Sequence, residues 1–280
     1  MEDSDMSEDG KLRVDQALCL RGLAASRERA QALIAAGLVF AGGAAVKKPS
    51  QKVGEETVLE VRGEACPYVS RGGFKLEKAL LSFGVNPDGA VAIDVGASTG
   101  GFTDVLLQNG AKLVYAVDMG TAQLDPKLDG DPRVIKMEQT NARTLSRDMF
   151  SPAPSLAVMD VSFISIRKIL PALRDVLGEN GRMISLVKPQ FEAGREALGK
   201  KGVVSNPAVH ERVLRDVTAF APECGWRVRK FDFSPISGTQ GNLEFLADFI
   251  PDDGKTISPG PQEIRALVKL AHAGVRKGNG

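Results

Sequence analysis

The stretch Val91-Ala-Ile-Asp-Val-Gly-Ala-Ser-Thr-Gly-Gly-Phe-Thr-Asp104 decides how this chain folds. Residues 91–95 read as a short parallel strand buried on both faces, because the apolar run does not alternate. Gly96, Gly100 and Gly101 then make a turn, and an amphipathic helix carrying Leu106 and Leu107 starts at once. A strand holding an acid, a glycine turn and a helix N-terminus is how open α/β sheets receive a nucleotide. The glycines let backbone approach the ligand, and the crevice lies beyond the strand C-termini.

Which nucleotide is read from the glycine spacing. A phosphate-cradling loop needs Gly-Lys-Ser/Thr at its end, and Gly101 is followed by Phe102. A dinucleotide fingerprint needs Gly-x-Gly-x-x-Gly, whereas this chain has Gly96-x-x-x-Gly100-Gly101. The remaining pattern, Asp-x-Gly-x-x-x-Gly-Gly, is that of the first motif of S-adenosylmethionine-dependent methyltransferases. An acid closing the next strand then holds the ribose hydroxyls, and Asp118 stands 22 residues after Gly96. That spacing also suits NAD, so residues further along have to decide.

Outward from this core the pattern stays periodic. Strands are expected at 113–118, 134–137, 156–161, 183–187, 227–233 and 243–250, and helices at 75–83, 163–177, 206–221 and 262–275. Alternation of this kind predicts an α/β protein with a doubly wound, mostly parallel Rossmann-like sheet. The last two strands lack an intervening helix and predict an antiparallel hairpin. The terminal helix is expected to pack on the sheet.

The 280 residues suffice for one large domain and a small one. No run of eighteen apolar residues and no charged-then-apolar leader is present, so a soluble cytoplasmic protein without membrane contact is expected. Three scattered cysteines and two histidines predict reduced thiols and no metal site. The sequence is silent on oligomeric state, and a monomer is favoured. The net charge of +1 hides an asymmetry. Residues 1–10 carry five acids and no base, and read as a disordered acidic tail. Residues 11–63 carry nine Lys/Arg against five acids, which suggests a polyanion partner. They read as a small α+β domain. Helices are expected at 11–22 and at 27–36 behind a Ser26 cap, with short strands after them. Residues 64–67 are the expected linker and 68–280 the larger domain.

Four charged residues stand where such a sheet puts its ligand edge. Lys75 lies in "VSRGGFKL" ahead of the first strand, at a helix start where a cation is mildly unfavourable. Asp160 follows "LAVM", Lys188 follows "MISLV", and Glu244 lies in "GNLEFL". An ion-pair network at the sheet rim is the plain alternative, but two lysines and two acids together are what methyl transfer to a ribose hydroxyl asks for. That hydroxyl must lose its proton as it attacks. A lysine takes the proton only if its pKa falls well below ~10.4. Lys75 and Lys188, if adjacent, are expected to lower one another, with Asp160 and Glu244 holding them in place.

Two resemblances follow from these residues. "RVDQALCLRGLAASRERAQALIAAGLVFAGGAAVKKPSQKV" resembles the RNA-binding fold named after the fourth small-subunit ribosomal protein, S4, which grips phosphates by shape. The Lys75, Asp160, Lys188, Glu244 order resembles the tetrad of FtsJ-like ribose 2′-O-methyltransferases. Together with "DVGASTGGFTDVLL", "QTNAR", "DVSFIS", "LVKPQFE" and "KGVV", the chain resembles the TlyA family of ribosomal-RNA cytidine 2′-O-methyltransferases, some of which are called haemolysins. The resemblance implies Lys188 as the base, with Lys75, Asp160 and Glu244 orienting substrate and base. It implies S-adenosylmethionine contacts from Asp94, Gly96, Ser98, Thr99, Gly100, Gly101, Phe102, Asp118, Asn141 and Asp160. Arg13, Arg27, Arg29, Lys47, Lys48 and Arg71 are the RNA-binding candidates, for rRNA within ribosomal subunits. Two competing readings are a non-catalytic ribosome-assembly factor and a membrane-active haemolysin. The intact tetrad speaks against the first, and the lack of a spanning or strongly basic amphipathic segment against the second. The chain departs from the family at Thr121-Ala122 of "DMGTAQL", and its linker lacks a tryptophan that some relatives carry.

Overall fold

The computed structural model describes residues 11–24, 26–35, 37–62, 66–199 and 201–277. The acidic stretch 1–10 and linker residues 64 and 65 lie outside the described residues, as does the side chain of Arg29. Chain contacts define two compact units, Met1–Pro67 and Tyr68–Gly280.

The first unit runs β1 (Leu12–Arg13), α1 (Val14–Leu20), α2 (Arg27–Ala35), β2 (Val39–Ala41), β3 (Ala44–Ala45), β4 (Lys52–Val53) and β5 (Leu59–Val61). Its core joins Val14, Ala17 and Leu18 of α1 to Leu33 and Ile34 of α2 and to Val39, Val46 and Val53 of the strands. The helix expected from residue 11 starts only at Val14. Leu12 and Arg13 are extended instead and pair antiparallel with Val53 and Lys52. Ladder bonds to a distant strand there outweigh local helix propensity. Asp15 is fully buried in the first turn of α1. The Arg13 guanidinium, 2.9 Å away, holds its carboxyl down at about 2, with help from Gln31 and Arg27.

The second unit opens with α3 (Gly73–Phe83), then β6 (Val91–Val95), α4 (Gly101–Gln108), β7 (Leu113–Val117), α5 (Pro126–Asp129) and β8 (Val134–Met137). It continues with β9 (Leu156–Met159), α6 (Leu170–Leu177), β10 (Arg182–Val187), α7 (Pro189–Glu192), α8 (Pro207–Phe220), β11 (Trp226–Phe233), β12 (Phe245–Pro251) and α9 (Pro261–Lys277). Seven strands form one sheet in the order β11-β12-β10-β9-β6-β7-β8. The ladders from β8 to β10 are parallel, while β12 runs antiparallel to both β10 and β11. The expected doubly wound sheet with a terminal hairpin is therefore present.

Alternation along the strands sorts the two faces. Ile93 and Val95 face a core shared with α6, α8 and α9, while Ala92 faces α3 and α4. Ile264, Val268 and Ala271 bury one side of α9 in the first of these cores. His210 of α8 and His272 of α9 meet there at 2.9 Å.

Three boundaries that differ from the sequence reading border the crevice. The strand expected to run to 161 ends at Met159, and the helix expected from 163 starts at Leu170. Between them a loop is tied down by the buried Glu192, which accepts from Ile166 N at 2.8 Å and Ser165 Oγ at 2.6 Å. The strand expected from 243 starts at Phe245. Because β12 is antiparallel, its beginning lies beside the C-terminal end of β10, with Phe245 opposite Val187. Glu244 and Lys188, one residue beyond that pair on their respective strands, therefore share one edge.

Candidate active site

The chain winds outward from β6 to β7 and β8, then crosses back to β9 and β10. The loops after β6 and β9 consequently part, and a crevice opens at this topological switch point. Gly96 and Asp160 stand on its two lips. Gly96 has φ +83°, and a Cβ there would lie 2.6 Å from the Asp160 carbonyl oxygen. The crevice holds a cavity of about 490 Å³, within the range of nucleoside-sized ligand sites. A smaller one of about 210 Å³ shares Gly96, Ser98, Asp160 and Ser162 with it and adds Lys188.

Asp118 follows β7 and lines the larger cavity. Its Oδ2 accepts from Ser98 N at 2.8 Å and its Oδ1 from Gly120 N at 2.7 Å. Those bonds fix the carboxylate, and its other lone pairs remain for a vicinal diol. Met119, 63% exposed, and Asn141 line the same cavity. An anchored acid, an apolar patch and a glycine lip without a Cβ together fit the adenosine of S-adenosylmethionine. Thr121 and Ala122 do not line the cavity, so the departure at those positions leaves its wall intact.

Three of the expected cofactor contacts have a packing role of their own. Asp94 is fully buried beneath the turn, where Thr103 Oγ1 donates to it at 2.7 Å, and it lines neither cavity. Its position in β6 sends it to the α4 side of the sheet. Gly100, at φ +91°, lines neither cavity either, and a Cβ there would strike Leu124 and Leu128. Gly101 borders the smaller cavity, but what excludes a side chain there is Ser70. These glycines are demanded by the protein's own packing. Thr99 and Phe102 line only the smaller cavity.

Burial, unopposed by any cation, pushes the Asp94 carboxyl up to about 7, despite the Thr103 bonds. The neutral acid is the form the fold favours, so stability is greatest below the unfolded value of 3.8 and is lost as pH rises through about 7. Asp94→Asn, which cannot ionise, is expected to gain on the wild type by on the order of 3 kcal/mol between pH 4 and pH 8. Thermal melts of both proteins check this, with a gap widening by about 6–12 °C. A gap that does not change with pH would refute it.

The four tetrad candidates meet at the C-terminal edge of the sheet, although Lys75 and Asp160 are 85 residues apart. Lys75 Nζ lies 3.2 Å from Asp160 Oδ2 and 2.6 Å from Glu244 Oε2. Lys188 Nζ lies 2.6 Å from Asp160 Oδ1 and donates to Ser162 Oγ at 2.9 Å. Asp160 thus stands between the two lysines. The expectation that Lys75 would be lowered by its fellow lysine is corrected accordingly. Burial alone would push Lys75 down, but the Asp160 and Glu244 carboxylates outweigh it and the pKa goes up. Burial pushes Glu244 up as well, opposed by Lys75. These two tendencies pull the pair in opposite directions, and contact at 2.6 Å inside a buried site favours the ion pair.

Sequence reasoning missed Ser162 and Phe163, both inside the quoted "DVSFIS". Ser162 lines both cavities. Phe163 is 92% exposed at φ +65° on the rim of the larger one, with its ring 5.3 Å from that of Phe191. A polar and an aromatic residue directly after a strand-terminal acid was the available signal. Of the basic candidates in the first unit, Arg13 and Arg27 pair with Asp15 while Lys47 and Lys48 are exposed. Arg71 is an exposed residue of the second unit, next to Ser70 on the smaller cavity.

The strand order, the glycine lip and the anchored acid after β7 are those of an S-adenosylmethionine-dependent methyltransferase. Residues 68–249 match the FtsJ-like methyltransferase family, and residues 12–59 match the S4 domain. The Bacillus subtilis protein YqxC is 47% identical over 94% of this chain and 94% of its own. The Mycobacterium tuberculosis 16S/23S rRNA (cytidine-2′-O)-methyltransferase TlyA is 42% identical over 84% of this chain and 88% of its own. A Streptococcus thermophilus structure described as a hemolysin superposes with a TM-score of 0.77, at 49% identity, over 96% of this chain and 98% of that one. The chain belongs to the FtsJ-like methyltransferases that carry an S4 domain, in the family that includes TlyA and YqxC. Among the described residues no helix is long and apolar enough to cross a membrane.

Proposed function

We propose that this protein methylates the 2′-hydroxyl of a cytidine ribose in ribosomal RNA, with Lys188 as the base. The observation that carries this reading is the continuous chain Glu244–Lys75–Asp160–Lys188 on the edge of the crevice, with Asp160 also lining the larger cavity. S-adenosylmethionine, when bound, supplies a methyl group activated by its positive sulfur. Asp118, Asn141 and the Gly96–Ser98 backbone hold it. Lys188 accepts the proton of the ribose hydroxyl as the oxygen bonds to the methyl carbon. Asp160 orients Lys188 on one side and Lys75 on the other, and Lys75, held charged by two carboxylates, stabilises the negative charge that develops on the ribose oxygen. Alignment of oxygen, carbon and sulfur accounts for much of the rate. The TlyA relative's name, together with the S4 domain, supports ribosomal RNA as substrate. The same reading puts the protein in the cytoplasm as a monomer that meets its substrate in ribosomal subunits.

Tritium transfer from labelled S-adenosylmethionine to purified ribosomal subunits and to naked rRNA tests it. Label in RNA that resists alkaline hydrolysis at one linkage is expected. Bound cofactor with no label on any RNA would instead favour a non-catalytic assembly factor. RNA affinity offers a second check. Lys47→Glu with Lys48→Glu is expected to weaken rRNA binding and to reduce the slope of log affinity against log salt by about 2. An unchanged slope would show that these lysines touch no phosphates.

A further inference from the structure

The two lysines that share Asp160 differ in their other neighbour. Lys75 faces a second carboxylate, Glu244. Lys188 faces a neutral hydroxyl, Ser162 Oγ, to which Nζ donates at 2.9 Å. We propose that Ser162 is a positioning residue for Lys188: its hydroxyl accepts one N–H of Nζ and so aims the nitrogen lone pair at the ribose hydroxyl. This rests on the reading of Lys188 as the base.

A neutral lysine amine carries two N–H bonds and one lone pair, disposed tetrahedrally on a flexible four-carbon stem. A single contact leaves the nitrogen free to rotate about its last bond. Asp160 at 2.6 Å and Ser162 at 2.9 Å together remove that freedom and leave the third direction open. Lys188 and Ser162 both line the smaller cavity with Gly96 and Ser98, so the open direction has a place to receive a substrate oxygen. The neutrality of the hydroxyl matters as much as its position. A second carboxylate there would hold the nitrogen charged, as Asp160 and Glu244 together do at Lys75. Ser162 is solvent-exposed yet held in place, because Glu192 grips the same loop at Ser165 and Ile166.

The test is the pH–rate profile of methyl transfer to rRNA by wild type, Ser162→Ala, Ser162→Thr, Ser162→Asp and Lys188→Ala. Ser162→Ala is expected to lower kcat by about 10- to 100-fold, a larger effect than any on KM for RNA or on cofactor affinity, whose cavity Ser162 also borders. Ser162→Thr, which keeps the hydroxyl, is expected to restore most of the rate. Ser162→Asp is expected to move the rising limb of the profile upward by about 1–3 pH units. A Ser162→Ala enzyme with wild-type kcat and profile, beside an inactive Lys188→Ala, would overturn the Ser162 proposal alone. A wild type that transfers no methyl group, or an active Lys188→Ala, would overturn the reading of the base and this proposal with it.

Discussion

Lys188→Ala is expected to lower kcat for methyl transfer by about 10³-fold or more while leaving S-adenosylmethionine affinity within about threefold. The separation follows from where Nζ sits. Lys188 lines the smaller cavity with Ser162 and does not line the larger one that holds Asp118 and Asn141. Under the proposed assignment, truncation removes the proton acceptor and spares the cofactor contacts. It also strips a cation from Asp160, which keeps Lys75 at 3.2 Å and so is not left as an unpaired charge. The protein should accordingly remain folded. Lys188→Arg sharpens the test. A guanidinium preserves positive charge beside Asp160 but stays protonated at every working pH. No rescue by arginine is expected if the residue acts by accepting a proton. Recovery of activity would mean that Lys188 contributes charge only. Single-turnover methyl transfer, with cofactor binding measured separately by calorimetry, reads both quantities.

Gly96→Ala is expected to weaken cofactor binding by at least about 10-fold and to lower kcat/KM by at least about 100-fold. Two costs act together. A left-handed φ of +83° costs an L-residue roughly 1–2 kcal/mol. The added methyl would also sit 2.6 Å from the Asp160 carbonyl oxygen and 3.2 Å from Val161 Cγ1. The nearer atom is backbone at the end of a central strand, so no rotamer change relieves the clash. The lip carrying Asp160 must shift instead, and displacements of that size are costly to a reaction that depends on alignment. Gly84→Ala is the control, because that glycine also has positive φ (+60°) but nothing lies within 4 Å of its added Cβ. Melting temperature should fall in both variants, and cofactor affinity only in Gly96→Ala. Equal behaviour of the two would show that backbone strain alone matters at the lip.

The sheet was legible in the sequence because parallel strands buried on both faces must be apolar almost throughout, and the runs at 91–95, 113–117, 156–159 and 183–187 are. Boundaries were less legible where a long-range contact competes with local preference. Leu12 and Arg13 join a strand about 40 residues away in sequence, and residues 163–169 stay out of the α-helix, forming only a short 3-10 turn at Ile166–Lys168, where Glu192 captures the Ser165 hydroxyl and the Ile166 amide. Neither partner is visible in a local window.

The residues of the site were readable for a similar reason. A charged side chain that closes an apolar run has to leave the core, and in this fold it leaves toward the crevice. That rule, joined to the family resemblance, singled out Lys75, Asp160, Lys188 and Glu244, and the antiparallel course of β12 brings the last beside the third. What charge pattern does not carry is which oxygen meets which nitrogen. Asp160 standing between two lysines, and raising Lys75 where mutual repulsion would have lowered it, is a consequence of packing. So are the burial of Asp94 on the α4 side and the closing of Gly100 beneath Leu124 and Leu128. Periodicity and side-chain chemistry along the chain determined the kind of fold and the candidate residues. Distances between segments far apart in sequence, which set ion pairing and proton affinity, were decided only when helices and loops closed over the sheet.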